Sequence, residues 1–195
     1  SDTDSGRLIS AVASARDDLM DAHDDIRELR EFYQGGGQKA VWERLRDALH
    51  EFSPNRSQLV ADAEAATAIA EIDCILAAPA PYGMLANADT LIQTVKAVND
   101  ALVETARADA KVLIAKHSAY VEEKAGDLTA HAMYPTIAER VGGLESLVLK
   151  ETSLGGIHLL SQRAATNMTE AIEALDKLRP QPPQQQTPTA KSTRV

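Results

Sequence analysis

The sequence predicts an all-α protein, and three observations carry that prediction. Near the N-terminus Leu8, Val12, Ala15, Leu19, Ala22, Ile26, Leu29 and Tyr33 alternate four and three residues apart, the seam of a left-handed coiled coil. A second heptad-like stretch fills the region from Asn87 to Lys124. Hydrophobic residues make up 44% of the 195 positions but aromatics only 4%, a balance that leans on alanine. Such a composition suits close helix-on-helix packing better than a sheet sandwich or a deep ligand cavity. The expected architecture is an elongated bundle of long, antiparallel, coiled-coil-like helices with short connecting helices. Residues 1–179 form its helical domain and 180–195 a Pro/Gln-rich disordered tail or linker.

The first helix is expected from Asp4 or Ser5 to Gln34. Charged residues between its seam positions, among them Arg16, Asp17, Asp18, Arg27 and Arg30, give it a solvated outer face. Gly35, Gly36 and Gly37 end it, because glycine supplies left-handed caps and disfavours helix interiors. A shorter helix follows from Gln38 to Phe52, with Val41, Trp42, Leu45, Leu49 and Phe52 on one stripe and Trp42 as the best core anchor. Ser53 and Pro54 break the chain, and a third helix is expected to reach Ala77 through Leu59, Ala63, Ala66, Ile69, Ile72 and Leu76. Cys74 is the single cysteine and excludes an internal disulfide; inside this helix it reads as a buried, inert thiol.

Pro79, Ala80, Pro81, Tyr82 and Gly83 predict a rigid turn, since proline fixes its own torsion and restrains the residue before it. The longest helix then spans Asn87 to Lys124, with Leu91, Val95, Val98, Leu102, Ala106, Asp109 or Ala110, Leu113, His117 and Tyr120 on its seam, and Gly126 stops it. A weaker helical stretch covers Leu128 to Val141, notched by Pro135 and ended by Gly142 and Gly143, before Leu144 to Lys150. The last helix is expected from Ser153 to Arg179, with Ile157, Leu160, Ala164, Met168, Ile172, Leu175 and Leu178 facing inward and Gly155 and Gly156 weakening its start. From Pro180 onward, the run through Pro182, Pro183, Gln184, Gln185, Gln186 and Pro188 has no apolar content with which to fold.

A net charge of −9 and a pI of about 5.0 oppose phosphate backbones and anionic lipid, so direct nucleic-acid binding is disfavoured. No signal peptide and no bilayer-length apolar run is present, and the expectation is a cytoplasmic protein. The missing initiator Met and the abrupt end after Val195 suggest a piece of something larger. The triple glycine with Gln38 and Lys39 is no Walker A loop, which needs Gly before Lys and Ser or Thr after it; here Ala40 follows. Asp47 with His50 is the sole approach to the Glu-x-x-His spacing of di-metal bundles, and His23, His117, His131 and His158 are scattered. No catalytic residue, cofactor-binding residue, metal ligand or small-molecule substrate is therefore expected in this chain. Asp21, Asp24, Asp25 and Glu28 form an acidic ridge suited to a basic partner, with a solubilising face as the plainer reading.

The stretch from Arg30 to Leu59, REFYQGGGQKAVWERLRDALHEFSPNRSQL, resembles a region of the large ATPase of the BREX (bacteriophage exclusion) systems, the BrxC/PglY family. So does PAPYGMLANADTLIQTVKAVNDAL, from Pro79 to Leu102. A charged helix ending in Phe-Tyr, a Trp-bearing helix, an Asn-Arg pair after a turn, and Pro-x-Pro-Tyr-Gly before a long helix carry the likeness. Members are very large, with a P-loop ATPase region well N-terminal to a long helical part, and act in defence against phage DNA; this chain resembles the helical part. The resemblance implies that ATP and Mg belong to the parent protein, with none of their binding residues in this chain. It also implies partners: other BREX components, among them a methyltransferase and an alkaline-phosphatase-like protein, and self-association.

The function expected is thus a non-catalytic helical scaffold that mediates oligomerisation or docking of other BREX components. Its candidate surface comprises Leu19, Ile26, Asp21, Asp24, Asp25, Glu28 and Tyr82. Antiparallel neighbours on short turns normally bury their own faces, so the seams are expected to close within the chain, with Tyr82 packed rather than exposed. The alternatives are a DNA-contacting arm using Arg44, Arg46, Lys111 and Lys116, and an unrelated coiled-coil adaptor.

Overall fold

A computed structural model describes residues 2–77, 80 and 82–180, with the backbone alone for residues 2–6 and 8. Leu8's side chain, Pro79, Pro81 and the 181–195 stretch, on which the turn and tail expectations fall, lie outside the described residues. The described chain is all-α, with no strand among its residues. Nine α-helices follow in order: α1 (Asp2–Gln34), α2 (Gly37–Glu51), α3 (Arg56–Leu59), α4 (Ala63–Ala77), α5 (Tyr82–Ala86), α6 (Ala88–Ala125), α7 (Tyr134–Gly142), α8 (Leu144–Lys150) and α9 (Leu154–Leu178). Contacts divide the chain into two compact units, Ser1–Ala101 and Leu102–Val195, with the boundary inside α6.

In the first unit α1 ends where the glycines predict. Gly36 takes φ 77°, a left-handed conformation that costs most other residues about 1–2 kcal/mol. Beyond it α2 buries Val41, Leu45 and Ala48, and Phe52 closes the stripe as the residue after the helix. Trp42 is only half-buried, so the core anchors are instead Leu45, Leu59, Ile72 and Ile75, each 1% exposed or less. The expected single helix from Pro54 to Ala77 is divided. Pro54 opens a 3-10 turn at Ser53–Asn55, α3 lasts one turn, and Asp62 starts a new helix. The Asp62 carboxylate accepts hydrogen bonds from the backbone N–H of Glu64 and Ala65, both at 3.0 Å, satisfying donors that a helix start leaves free.

On α4 the buried face is Ala65, Ala68, Ile69, Ile72 and Ile75. Cys74 is exposed, contrary to expectation: at 100° per residue it lies nearly opposite Ile72, and apolar neighbours in sequence do not bury a residue on the wrong side of a helix. The Asn-Arg pair has a structural reason. Asn55 is 3% exposed and donates from Nδ2 to Asn99 Oδ1 of α6 at 2.8 Å, while Arg56 pairs with Asp73 of α4 at 2.9 Å. Short α5, unforeseen in the sequence, takes up Tyr82 and Gly83 of the expected Pro79–Gly83 turn and buries Leu85.

The second unit holds the remainder of α6, then α7, α8 and α9. Its core joins Val103, Ala110, Ile114, Val121 and Ala125 of α6 to Ile137, Val141, Leu144, Val148, Ile157, Ala164, Ala171 and Leu175. The α6 stripe thus keeps the expected Ala106 and Ala110 but lies one residue on from the expected Leu102, Leu113 and Tyr120. A straight α-helix drifts about 20° per heptad from a strict seven-residue repeat, and its partners here are short helices and α9, not one long coiled-coil mate. Gly126 ends α6 at φ 51°, as expected. Pro135 sits in the first turn of α7, where its missing N–H costs nothing, so residues Gly126–Ala130 form a 3-10 turn instead of a helix start.

Entry into α9 is stronger than its glycines suggest. Ser153 caps it, accepting from Gly156 N–H at 2.9 Å, and the Glu151 carboxylate accepts from the N–H of Ser153 at 2.9 Å and Thr152 at 3.0 Å. Those hydrogen bonds, the one from Ser153 first, hold the Glu151 carboxyl below its ordinary pKa. A side chain at Gly156 would meet that carboxylate, its β-carbon 2.6 Å from Oε2, so glycine is required for the close approach. The Glu151 carbonyl accepts from Arg107 of α6 at 2.7 and 3.0 Å, fixing the loop from outside.

Candidate interaction surface

The surface is built on α1. At about 1.5 Å per residue its 33 residues extend close to 50 Å. Its C-terminal end is anchored within the first unit. Phe32 stands edge-on to Tyr33 (ring centroids 5.4 Å apart) and to Tyr82 (5.2 Å), and Tyr33 Oη donates to the Ala80 carbonyl at 3.2 Å. Toward the N-terminus the seam has no cover: Val12 is 65% exposed, Leu19 71% and Ile26 58%. The expectation that the seams close within the chain is thus corrected for α1. Short α2 packs on α1 only near its C-terminal end, and no described element of this unit runs alongside the rest.

Leu19 and Ile26 are the apolar centre of this face, two turns apart on one side of the helix. Met20, 56% exposed, and Ile9, 71% exposed, widen it; a heptad reading passes over both because they fall outside the seam positions. Asp21, Asp24, Asp25 and Glu28 are all exposed, as the acidic ridge requires. Asp24 is partly matched on its own helix, 3.1 Å from Arg27 and 3.8 Å from His23, which makes the ridge less acidic than its composition. Tyr82 combines both expectations: it packs on Phe32 yet remains 40% exposed, and it serves the anchor of α1 rather than the apolar face.

Arg44 pairs with Asp89 at 2.8 Å and Lys111 with Glu145 at 3.6 Å, so acids of the same unit face two of the four cations that a DNA-contacting arm would use. Among the described residues no cluster of three His, Cys, Asp or Glu side chains is placed to hold a metal ion. No helix among them is long and apolar enough to cross a membrane. What the arrangement offers chemically is helix-on-helix recognition: a long apolar strip with charges at its flanks.

The described residues define an all-helical region. A family model described as the alpha helical domain of the BREX ATP-binding protein BrxC matches residues 1–56, a stretch containing α1, α2 and the Asn55–Arg56 pair. Over that stretch the chain is similar to that helical domain. No solved structure matches the chain.

Proposed function

We propose that this chain is a non-catalytic scaffold of a BREX phage-defence ATPase, and that α1 mediates oligomerisation or the docking of other BREX components. The observation that carries the reading is the uncovered seam, with Leu19 and Ile26 exposed on a helix anchored only at one end. A helix stabilised by tertiary packing normally buries its apolar stripe, and this one lacks that packing inside its own unit. On this reading ATP and Mg act elsewhere in the parent protein, and the assembly works in the cytoplasm.

The reading is tested by co-purification of the chain with the other BREX proteins, its methyltransferase and alkaline-phosphatase-like members included. Leu19→Glu with Ile26→Glu is expected to weaken capture by about tenfold or more, since each places a charge in an apolar helix interface. Retention of capture by that double variant sinks the assignment of the surface to α1.

A further inference from the structure

Heptad lettering of α1 carries a code for one particular occupant. With the seam in register, Val12, Leu19, Ile26 and Tyr33 take the a positions and Ala15, Ala22 and Leu29 the d positions. The flanks then separate by charge. Asp18 and Asp25 stand at g, whereas Arg16 and Arg30 stand at e, and all four are exposed.

In a parallel, in-register pair each g residue faces the e residue of the following heptad on the other helix. Asp25 then meets the partner's Arg30, a pair occurring twice by symmetry. In a fully overlapping antiparallel pair, g faces g and e faces e. Asp18 would meet the partner's Asp25 twice. Like charges so placed repel, and such flanking charges set orientation and partner choice. The seam adds a second indication, because β-branched Val12 and Ile26 at a favour two strands over three or four.

We infer that α1 pairs with α1 of a second copy of this chain as a parallel, in-register, two-stranded coiled coil. The inference rests on the reading of α1 as the interaction surface and names its occupant. Alanines at two d positions permit close approach but bury little area, so the pair is reversible.

Sedimentation equilibrium of the full chain tests the pairing, and charge exchange tests the orientation. Asp25→Lys alone, and Arg30→Glu alone, are each expected to weaken self-association on the order of tenfold, and an equimolar mixture of the two is expected to restore it. An antiparallel pair would respond oppositely to Asp25→Lys, which would set a lysine against the partner's Asp18 and strengthen association. Ala15→Cys in a Cys74→Ser background supplies an independent readout. Parallel register brings the two introduced thiols together and allows a disulfide, whereas antiparallel register holds them about 16 Å apart. These substitutions lie on an exposed helix face, and unchanged circular dichroism verifies that the fold is kept. A monomer at all concentrations to about 100 μM, a range that detects even weak association, overturns the inference; so does a dimer strengthened by Asp25→Lys. A monomer that still captures other BREX proteins through Leu19 and Ile26 leaves the docking reading standing while this one falls.

Discussion

Phe32 lies across Gly37: a β-carbon added at Gly37 would come within 2.5 Å of Phe32 Cδ2 and 2.9 Å of Cζ. This contact, with the edge-on packing of Phe32 against Tyr82, sets how the end of α1 is held. Gly37→Ala is therefore expected to displace the Phe32 ring and loosen the anchor, at a cost of about 1–3 kcal/mol. Faster amide hydrogen exchange across Glu28–Gln34, with protection in α9 unchanged, is the expected readout. Unchanged exchange in that segment refutes the role of Gly37.

Asp62→Ala removes the side chain that accepts from Glu64 and Ala65. The expected loss is about 1 kcal/mol by chemical denaturation, and Asp62→Asn is expected to recover most of it because asparagine caps about as well.

Asn55→Ala is expected to cost more than a surface substitution, about 1–3 kcal/mol, because it removes a buried amide and leaves the half-buried Asn99 without its 2.8 Å partner. A double-mutant cycle with Asn99→Ala measures the coupling; additive losses would show that the two amides do not depend on one another.

Trp42→Phe is expected to be nearly neutral. The indole Nε1 is buried and finds no hydrogen-bond partner among the described residues, so losing that donor offsets part of the lost contact area. Trp42→Ala removes the same donor but far more contact area, and its expected cost is about 2–3 kcal/mol, below that of a fully buried tryptophan. Equal losses for the two substitutions would contradict this account.

Glu151 gives the second unit an acid-sensitive element. Its carboxyl is held below the ordinary value of 4.5 by hydrogen bonds from Ser153 and Thr152, so the folded state favours the ionised form. That contribution is fully present above the unfolded value and is lost as pH falls through the lowered folded value. Thermal melts of the wild type should drop more steeply below about pH 4.5 than those of Glu151→Gln. Parallel pH profiles for the two proteins would remove the carboxylate from the account.

Legibility in the sequence differed by kind of signal. Helix ends set by glycine were readable because the constraint is local: Gly36 and Gly126 adopt positive φ. Pro135, expected as a notch inside a helix, instead falls in the first turn of α7. The division of the third expected helix was missed because an aspartate cap at Asp62 competes with a continuous apolar stripe that also reads as helix. Cys74 and Trp42 were misplaced for another reason. Apolar character says that a side chain favours burial, but which side of the helix meets a neighbour is decided outside the segment. For the candidate surface, Leu19, Ile26 and the acidic residues of α1 were legible from period and charge, whereas Met20 and Ile9 were not.

By itself the sequence determined the all-α class, the long helices, most of their ends, and the heptad seam with its separated flanking charges. All of these follow from short-range torsional preference and from the 3.5-residue spacing of apolar side chains. Tertiary structure alone decided which seams are used up. The stripe of α6 is covered by α7, α8 and α9 in the second unit, while the same kind of stripe on α1 is left exposed by the described residues of its own unit at Val12, Leu19 and Ile26. Two helices with equivalent patterns thus take opposite fates, because burial depends on what the rest of the chain brings alongside, and that is a non-local quantity that periodicity does not encode.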